Sequence, residues 1–492
     1  MNTLIVGAGP TGMVAALALT MSGVRVRIID KRYQARSSSR ALGLQARSME
    51  VLAGLGVAQQ VEQVAYRLRG ASIMRGDTEL VDLRWVPPES RYPHTYVLPQ
   101  TGAEEILRGR LQEFDVAIER GVELAGLSQH ERGVEARLAD GAVIEAHWVI
   151  GADGASSRVR EAAGIAFPER ATGETYYLAD VLLDLDLELG DSAMWLGPEG
   201  PLMLMRLPGD GRLWRLFVDV TDAAQRGELP ELNEKVLAEM LADRGPTGVR
   251  IAALQWTSVF RTRLGLADAY RTGRVFLAGD AAHVFPPFGG QGMNLGIQDA
   301  VNLAWRLAAV ARGAEPVLLD GYERERRPVA AATIKDVDAR RRMYAMRNPI
   351  ARAARDLLLR AGGRSGRAAR LGSLQNSQLA TTYRDRVDGG ERGPEPRPGD
   401  RAPDGRFAGA SVHELFGAGH ATVLAFEPEA VGETVSKEPS LWIATVPGRN
   451  GDLRERYGIP DGERGYVLVR PDGHVAERGD EPAAARLAIE AQ

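Results

Sequence analysis

The sequence predicts an α/β fold: a parallel nucleotide-type sheet, interrupted by a mainly β insert and followed by a smaller α/β unit. Three observations predict it. Near the start, the apolar run Thr3–Val6 meets a glycine-rich turn, a helical run and a second apolar strand that closes on Asp30. Between 171 and 259, apolar residues alternate with the period of a strand. Farther on, Val275–Ala278 reads as another buried strand, ending in Gly279-Asp280 ahead of a long helical stretch.

The first element carries its own chemistry. Gly7-Ala8-Gly9-Pro10-Thr11-Gly12 follows the strand, and a helix is expected from Met13 to about Ser22. In such a Rossmann-like turn Gly7 permits the tight bend, Gly9 lets backbone approach a pyrophosphate, and Gly12 lets helix pack closely on strand. The helix N-terminus offers unpaired N–H groups to phosphate. Asp30, 18 residues past Gly12, can accept from ribose hydroxyls. By itself this motif does not choose between NAD and FAD.

The following segments narrow the choice. Arg40-Ala41-Leu42-Gly43-Leu44 leads into an expected helix, Gln45 to Leu55, that carries Arg47-Ser-Met-Glu-Val-Leu. Val97-Leu98-Pro99-Gln100 precedes another helix with Glu104 and Leu107. A strand from Trp148 ends in Gly151-Ala152-Asp153-Gly154, with Arg158 and Arg160 beyond it. Last comes Gly279-Asp280-Ala-Ala-His283, then Pro286-Pro287-Phe-Gly-Gly290-Gln-Gly292-Met293-Asn294 opening a helix to about Arg312. Its first N–H groups can stabilise negative charge on a ring system lying against the loop.

These motifs together resemble the class A FAD-dependent aromatic hydroxylases of the para-hydroxybenzoate hydroxylase fold. Within them the chain is similar to the phenol hydroxylase, aromatic-polyketide hydroxylase and rifampicin monooxygenase subgroup. The resemblance implies FAD contacts from Gly7, Gly9, Pro10, Thr11, Gly12, Asp30, Lys31, Arg40, Gln100, Leu124, Asp153, Asp280, Pro287, Gly290, Gly292, Met293 and Asn294. It implies NADPH or NADH as a transient electron donor, O2 as co-substrate, and transfer of oxygen from a flavin C4a-hydroperoxide to a phenolic, polycyclic, polyketide-like substrate. No catalytic base stands out; His283 reads as a packing residue beneath the loop. A Baeyer–Villiger or antibiotic-inactivating monooxygenase stays open on the same scaffold. So do a flavin oxidase or dehydrogenase and a non-catalytic flavin-binding component of a biosynthetic complex.

The expected organisation is an FAD-binding domain in two parts, 1–170 and 260–390, around a substrate-binding β-sheet domain at 171–259. Strands are expected at Val181–Leu187, Leu202–Leu207 and Leu213–Val218. Met203, Met205, Trp214, Phe217 and Pro287 are candidate substrate contacts, although alternation lets only one face of each strand reach a cavity. From Ala330 to Gly372 the pattern is helical and arginine-rich, read as solvated faces beside an apolar stripe. After a proline-rich connector at 390–404, residues 391–492 resemble the subgroup's thioredoxin-like appendage.

The 492-residue length suits several domains. The net charge of −4 gives no bias toward nucleic acid or acidic membranes. Cysteine is absent, which excludes disulfides, thiolate metal sites and dithiol chemistry in the appendage. The seven histidines form no metal-ligand pair on a helix. No signal segment or membrane span is expected, so a cytoplasmic protein is anticipated. The partner implied is a small aromatic molecule, with no nucleic acid and no membrane, and the resemblance allows a homodimer.

Overall fold

The computed structural model describes residues 1–35, 41–84, 89–185, 190–364, 367–384 and 395–479. Its first sheet has six strands, in the order Arg271–Thr272, Val275–Leu277, Trp148–Gly151, Asn2–Val6, Arg25–Asp30 and Ile118–Arg120. All neighbours are parallel except the Arg271–Thr272 edge. Leu4, Ile5, Ile28, Val149, Ile150 and Phe276 are wholly buried, as expected for strands covered on both faces. Helix α1 (Pro10–Met21) begins three residues earlier than expected, because proline at the first helical position has no N–H to waste. Helix α2 (Ala46–Gly54) and the long helix α3 (Gly292–Ala311) lie close to their expected spans.

The second sheet has eight strands and is larger than the 171–259 insert. Its order is His283–Val284, Val249–Leu266, Glu169–Leu185, Leu213–Asp219, Gly200–Arg206, Ser192–Gly197, Gly70–Arg75 and Thr78–Arg84. The Gly70–Arg84 hairpin comes from the first part of the chain and pairs in parallel with Ser192–Gly197. Because this pairing is between segments over a hundred residues apart, local pattern could not reveal it. Of the expected Val181–Leu187 strand, residues 186 and 187 lie outside the described residues.

Each face of this sheet has its own cover. On one face Tyr177, Val181, Leu204, Trp214 and Leu216 pack against Leu237 and Leu241 of the helix Glu234–Arg244. On the other, Tyr176, Leu178, Met203 and Phe217 meet Phe285 and Phe288 of the loop before α3. Val337 and Tyr344 of helix α4 (Asp320–Tyr344) complete that cluster.

Helices α5 (Pro349–Arg364) and α6 (Arg367–Ser377) follow. Here the sequence reading holds in part: Arg360 and Arg370 are exposed as expected, but the apolar stripe of α5 is not turned inward. Arg355 and Asp356 of α5 are buried, while Ile350, Leu357 and Leu358 face outward. The cause is the strand edge beneath: Arg75 donates to Asp356 at 3.1 Å, and this draws the charged side of the helix inward.

The C-terminal unit is thioredoxin-like. Its five strands run in the order Thr434–Lys437, Leu441–Pro447, Ala421–Glu427, Gly465–Val469 and Val475–Gly479. Leu453 and Tyr457 of the helix Gly451–Tyr457 close its core. No helix among the described residues is long and apolar enough to cross a membrane.

Candidate active site

The glycine-rich turn is fixed from two sides. Gly7 has φ +106°, and a Cβ there would meet the Ala152 carbonyl at 2.2 Å. A Cβ on Gly12 would lie 1.9 Å from the Gly7 carbonyl oxygen. At Gly9, by contrast, a Cβ would find nothing within 4 Å. The backbone at Gly9 thus borders open space beside the free N–H groups of α1, a cradle that fits a pyrophosphate. Asp30 accepts from the Ala8 N–H at 2.9 Å and the Arg32 N–H at 2.8 Å. Each carboxylate oxygen keeps a lone pair for a ribose hydroxyl. Pro10 is buried, Thr11 half-buried and Lys31 exposed; Arg40 lies outside the described residues.

Thr11 is where the N-terminal and downstream motifs meet. Its hydroxyl oxygen would be 2.6 Å from a Cβ on Gly279 and 2.3 Å from one on Gly296. The small residues of α1, the Gly279–Ala281 turn and α3 therefore allow these elements to touch. Asp280 emerges exposed at this point, directly after a buried strand. Asp153 organises the neighbouring turn: it accepts from the Ser157 hydroxyl at 2.5 Å, the Arg158 N–H at 2.7 Å and the Val159 N–H at 3.1 Å. Burial pushes its carboxyl above the ordinary range, against the pull of these donors. Arg160 ties that turn to the Asp280 turn through the Ala281 carbonyl at 2.8 Å.

The loop ahead of α3 is pinned by amides. Asn294 accepts from the Gln45 N–H at 2.8 Å and donates to the carbonyls of Gly43 and Gly290, both at 2.7 Å. Gln45 also donates to the Gly289 carbonyl at 3.1 Å. The Asn294 side chain is thus spent on the frame, and only its backbone is left for a ligand. The N–H groups of Gly292, Met293 and Asn294 form the first turn of α3 and have no intrahelical acceptor. Pro287 is exposed between buried Pro286 and Phe288. Gln100 donates to Glu104 at 2.7 Å, and its N–H reaches the Ala41 carbonyl at 3.1 Å. Leu124 is a core residue, 3% exposed, so its backbone alone could meet a ligand.

His283 sits beneath this loop. Its Nε2 is 2.7 Å from Asp299, which also accepts from Arg326 at 2.8 Å, and all three side chains are fully buried. Burial pushes the Asp299 carboxyl up, but Arg326 and His283 outweigh it and hold it below the ordinary range. The histidine is an anchor for α3 rather than a group open to substrate.

The substrate candidates divide by face. Phe217 stands opposite Met203 in the sheet register and its ring is 5.8 Å from Phe288. Met205 shares that face, beside Leu42 and Val97. Trp214 does not: it points to the opposite face, its indole N–H bound to the Gly211 carbonyl at 3.2 Å. Positions 214 and 217 differ by an odd number, so one strand cannot present both to one cavity.

Sequence reasoning missed several residues on the loop-facing side. Tyr176 stacks on Phe217 at 4.4 Å, and its buried hydroxyl has no hydrogen-bond partner among the described residues. Arg215 is buried against Asp180, with a 3.0 Å bond between Nη2 and Oδ2, and lies 4.8 Å from the Trp256 ring centre. The pair puts one polar handle into an aromatic face. Gln45 was missed as well; its only signal was its place just after the Arg40–Leu44 motif.

Known proteins match this arrangement along its length. The FAD binding domain family model matches residues 1–337, and the aromatic-ring hydroxylase C-terminal model matches residues 395–491. A 6-methylpretetramide 4-monooxygenase of Streptomyces rimosus is 34% identical, over 100% of this chain and 93% of its own length. A pentachlorophenol 4-monooxygenase of Sphingobium chlorophenolicum is 35% identical, over 82% of this chain and 76% of its own. The solved structure of the anhydrotetracycline hydroxylase OxyS from Streptomyces rimosus superposes with a TM-score of 0.77 at 28% identity, covering 100% of this chain and 99% of that one.

Proposed function

Because the chain belongs to the FAD-dependent aromatic-ring hydroxylases and is an FAD-dependent monooxygenase, we propose that it hydroxylates a phenolic, polycyclic, polyketide-like substrate at the expense of NAD(P)H. The observation that carries this reading is the aromatic face of the second sheet, where Tyr176, Phe217 and Met203 stand against the Phe288 loop with the Arg215–Asp180 pair beside them. A flat ring system matches such a slot, and the ion pair offers one oriented polar contact.

The residues have distinct tasks. The α1 N-terminus and Asp30 hold the nucleotide end of FAD, and Asp280 accepts from its ribityl hydroxyls. Bound there, the flavin supplies dioxygen activation. The N–H groups of Gly292, Met293 and Asn294 favour negative charge at the edge of the ring. Phe288, Phe217 and Tyr176 keep water from the reacting centre, where it would divert oxygen to hydrogen peroxide. No side chain has to act as base, because an ionised phenol carries its own activation; the pocket has to position it. Only one dinucleotide turn occurs among the described residues, so NAD(P)H binds transiently without a Rossmann domain of its own.

The test is product balance. Purified protein given NADPH, O2 and tetracyclic or angular phenolic polyketides should yield hydroxylated product in stoichiometric ratio to NADPH consumed. NADPH oxidation that gives only peroxide with every phenol tried would sink the reading. A ketone converted to an ester or lactone would favour the Baeyer–Villiger alternative.

A further inference from the structure

Helix α5 buries an ion pair and exposes an apolar stripe. Its inner side carries Arg355 and Asp356, bonded to each other at 2.8 Å, and Leu359, which packs on Ile73 and Val81 of the sheet edge. Its outer side carries Ile350, Ala353, Ala354, Leu357, Leu358 and Ala361, all exposed. That spacing makes one continuous helical stripe. Ile350, Leu357 and Leu358 are 81%, 69% and 72% exposed. Together with Leu374 of α6, they are the only strongly exposed leucine or isoleucine side chains among the described residues. Scattered exposed leucines need no explanation, but a row of them on one helix does.

Charge indicates what covers the row. Residues 349–372 contain six arginines and one acid, Asp356, which is already paired on the inner side. Arg360 and Arg370 are exposed, and among the described residues neither has a carboxylate within salt-bridge distance. This basic run stands out in a chain whose net charge is −4. A second copy of the chain fits poorly. A 16-residue helix is about 24 Å long and about 10 Å wide, so its face covers roughly 240 Å², against about 800 Å² per partner in a stable interface. A two-fold contact would also set the arginine-rich segments against each other. The stripe is aliphatic and convex, without the aromatic anchors that mark protein hot spots.

We propose that the outer side of α5, together with Arg370 of α6, forms a peripheral docking surface for an anionic lipid bilayer, with the leucines entering the headgroup boundary and Arg360 and Arg370 meeting lipid phosphates. The helix lies on the Gly70–Arg84 edge of the second sheet, so docking sets that edge of the molecule at the membrane. The inference does not depend on the identity of the substrate.

The test is flotation of the FAD-loaded protein with vesicles of phosphatidylcholine alone or mixed with phosphatidylglycerol. Binding is expected to the mixed vesicles only, and to be reversed by salt. The double substitution Leu357→Glu/Leu358→Glu should weaken it by at least about tenfold, and Arg360→Gln/Arg370→Gln by about thirtyfold. Both variants should retain FAD. Failure to bind mixed vesicles overturns the proposal, as does binding that survives the leucine substitutions. A dimer in light scattering that the same substitutions dissociate would assign the face to a second copy. Equal, leucine-independent binding to poly-glutamate would assign it to an acidic protein. Either result overturns the lipid assignment.

Discussion

The loop before α3 is supported from two sides by unlike chemistry. Toward the C-terminal unit the contacts are ionic and buried. Glu50 of α2 receives Arg47 and Arg401, each at 2.9 Å. Arg470 reaches Glu325 at 2.8 Å and Asp472 at 2.6 Å, and Asn302 of α3 donates to both of those carboxylates. Toward the second sheet the contacts are mainly rings and thioethers, with a tyrosine hydroxyl that has no partner among the described residues and the buried ion pairs Arg215–Asp180 and Arg341–Glu174. A buried charge network accepts one arrangement, since every member depends on the others. Apolar surfaces repack at smaller cost. The first therefore suits a fixed frame for α2 and α3, and the second suits a face that opens for a planar guest.

The largest test of this contrast is removal of the C-terminal unit. The proline-rich connector and the missing cysteines suggest a dispensable appendage, so that a chain ending near Asp388, outside the described residues, would keep FAD. The junction argues otherwise: without Arg401 and Arg470, Glu50 and Glu325 lose their principal partners. The truncated chain should aggregate or lose FAD on gel filtration. A soluble, yellow truncation would break the comparison. On a smaller scale, Arg470→Met should cost about 3–5 kcal/mol in urea unfolding, the usual effect of stranding buried charge.

The contrast also marks what sequence could disclose. Gly7, Gly12, Asp30, Asp280 and the Gly290–Asn294 run were legible, because each answers a local demand of turn, strand end or helix start. Residues whose meaning depends on distant partners were not. Nothing near Arg470 and Asp472 in the sequence announces Glu325. Trp214 and Phe217 looked alike until register placed Phe217 opposite Met203 and Trp214 opposite Arg206. Alternation could separate the two but not say which faced the loop. The outward apolar stripe of α5 and the burial of Arg355 were not legible, because an arginine-rich amphipathic helix normally turns its leucines inward and Arg75 arrives from a strand that sequence did not place in the sheet.

The two faces of the sheet can be separated by paired substitutions. Trp214→Ala should lower stability by about 3–5 kcal/mol through cavity formation on the far face, with substrate KM unchanged. Phe217→Ala should instead raise substrate KM and the fraction of NADPH lost to peroxide. Denaturant curves beside steady-state kinetics give both readings. A change in KM confined to Trp214→Ala would reverse the assignment.

Asp280→Ala probes the cofactor side of the frame with a gentler effect. An exposed carboxylate that binds ribityl hydroxyls is worth about 1.5–3 kcal/mol, or roughly tenfold to a hundredfold in FAD affinity. The protein should remain folded, because Asp280 sits on the surface of its turn. A variant that holds FAD as tightly as the parent would remove Asp280 from the site.

The finest test is the pH dependence of the junction. His413 donates from Nε2 to the Ala402 carbonyl at 2.9 Å and lies 3.8 Å from Glu50. Burial depresses its pKa to about 4, although Glu50 pulls the other way. His474, also buried, is likewise depressed to about 4. The unfolded chain would protonate both near pH 6.5. Below that pH the unfolded state holds more protons, so stability falls as pH drops toward 4. Glu50, Glu325 and Asp472 have carboxyls held below the ordinary range by their arginine and histidine partners, against burial, which favours the neutral form. Their contribution is present above the unfolded carboxyl range and is lost only under stronger acid. The histidines therefore set the first descent. His413→Gln keeps an N–H for Ala402 but cannot titrate. Between pH 7 and 5 the variant should lose less stability than the parent, by on the order of 1–2 kcal/mol, measured by urea unfolding of the FAD-loaded protein. His283, whose ring stacks on Phe285 of the aromatic cluster, is the same in parent and variant, so the difference in slope belongs to the ionic side. Identical slopes in parent and variant would mean that the junction does not govern acid stability, and the contrast between a rigid ionic frame and an adaptable aromatic face would lose its thermodynamic support.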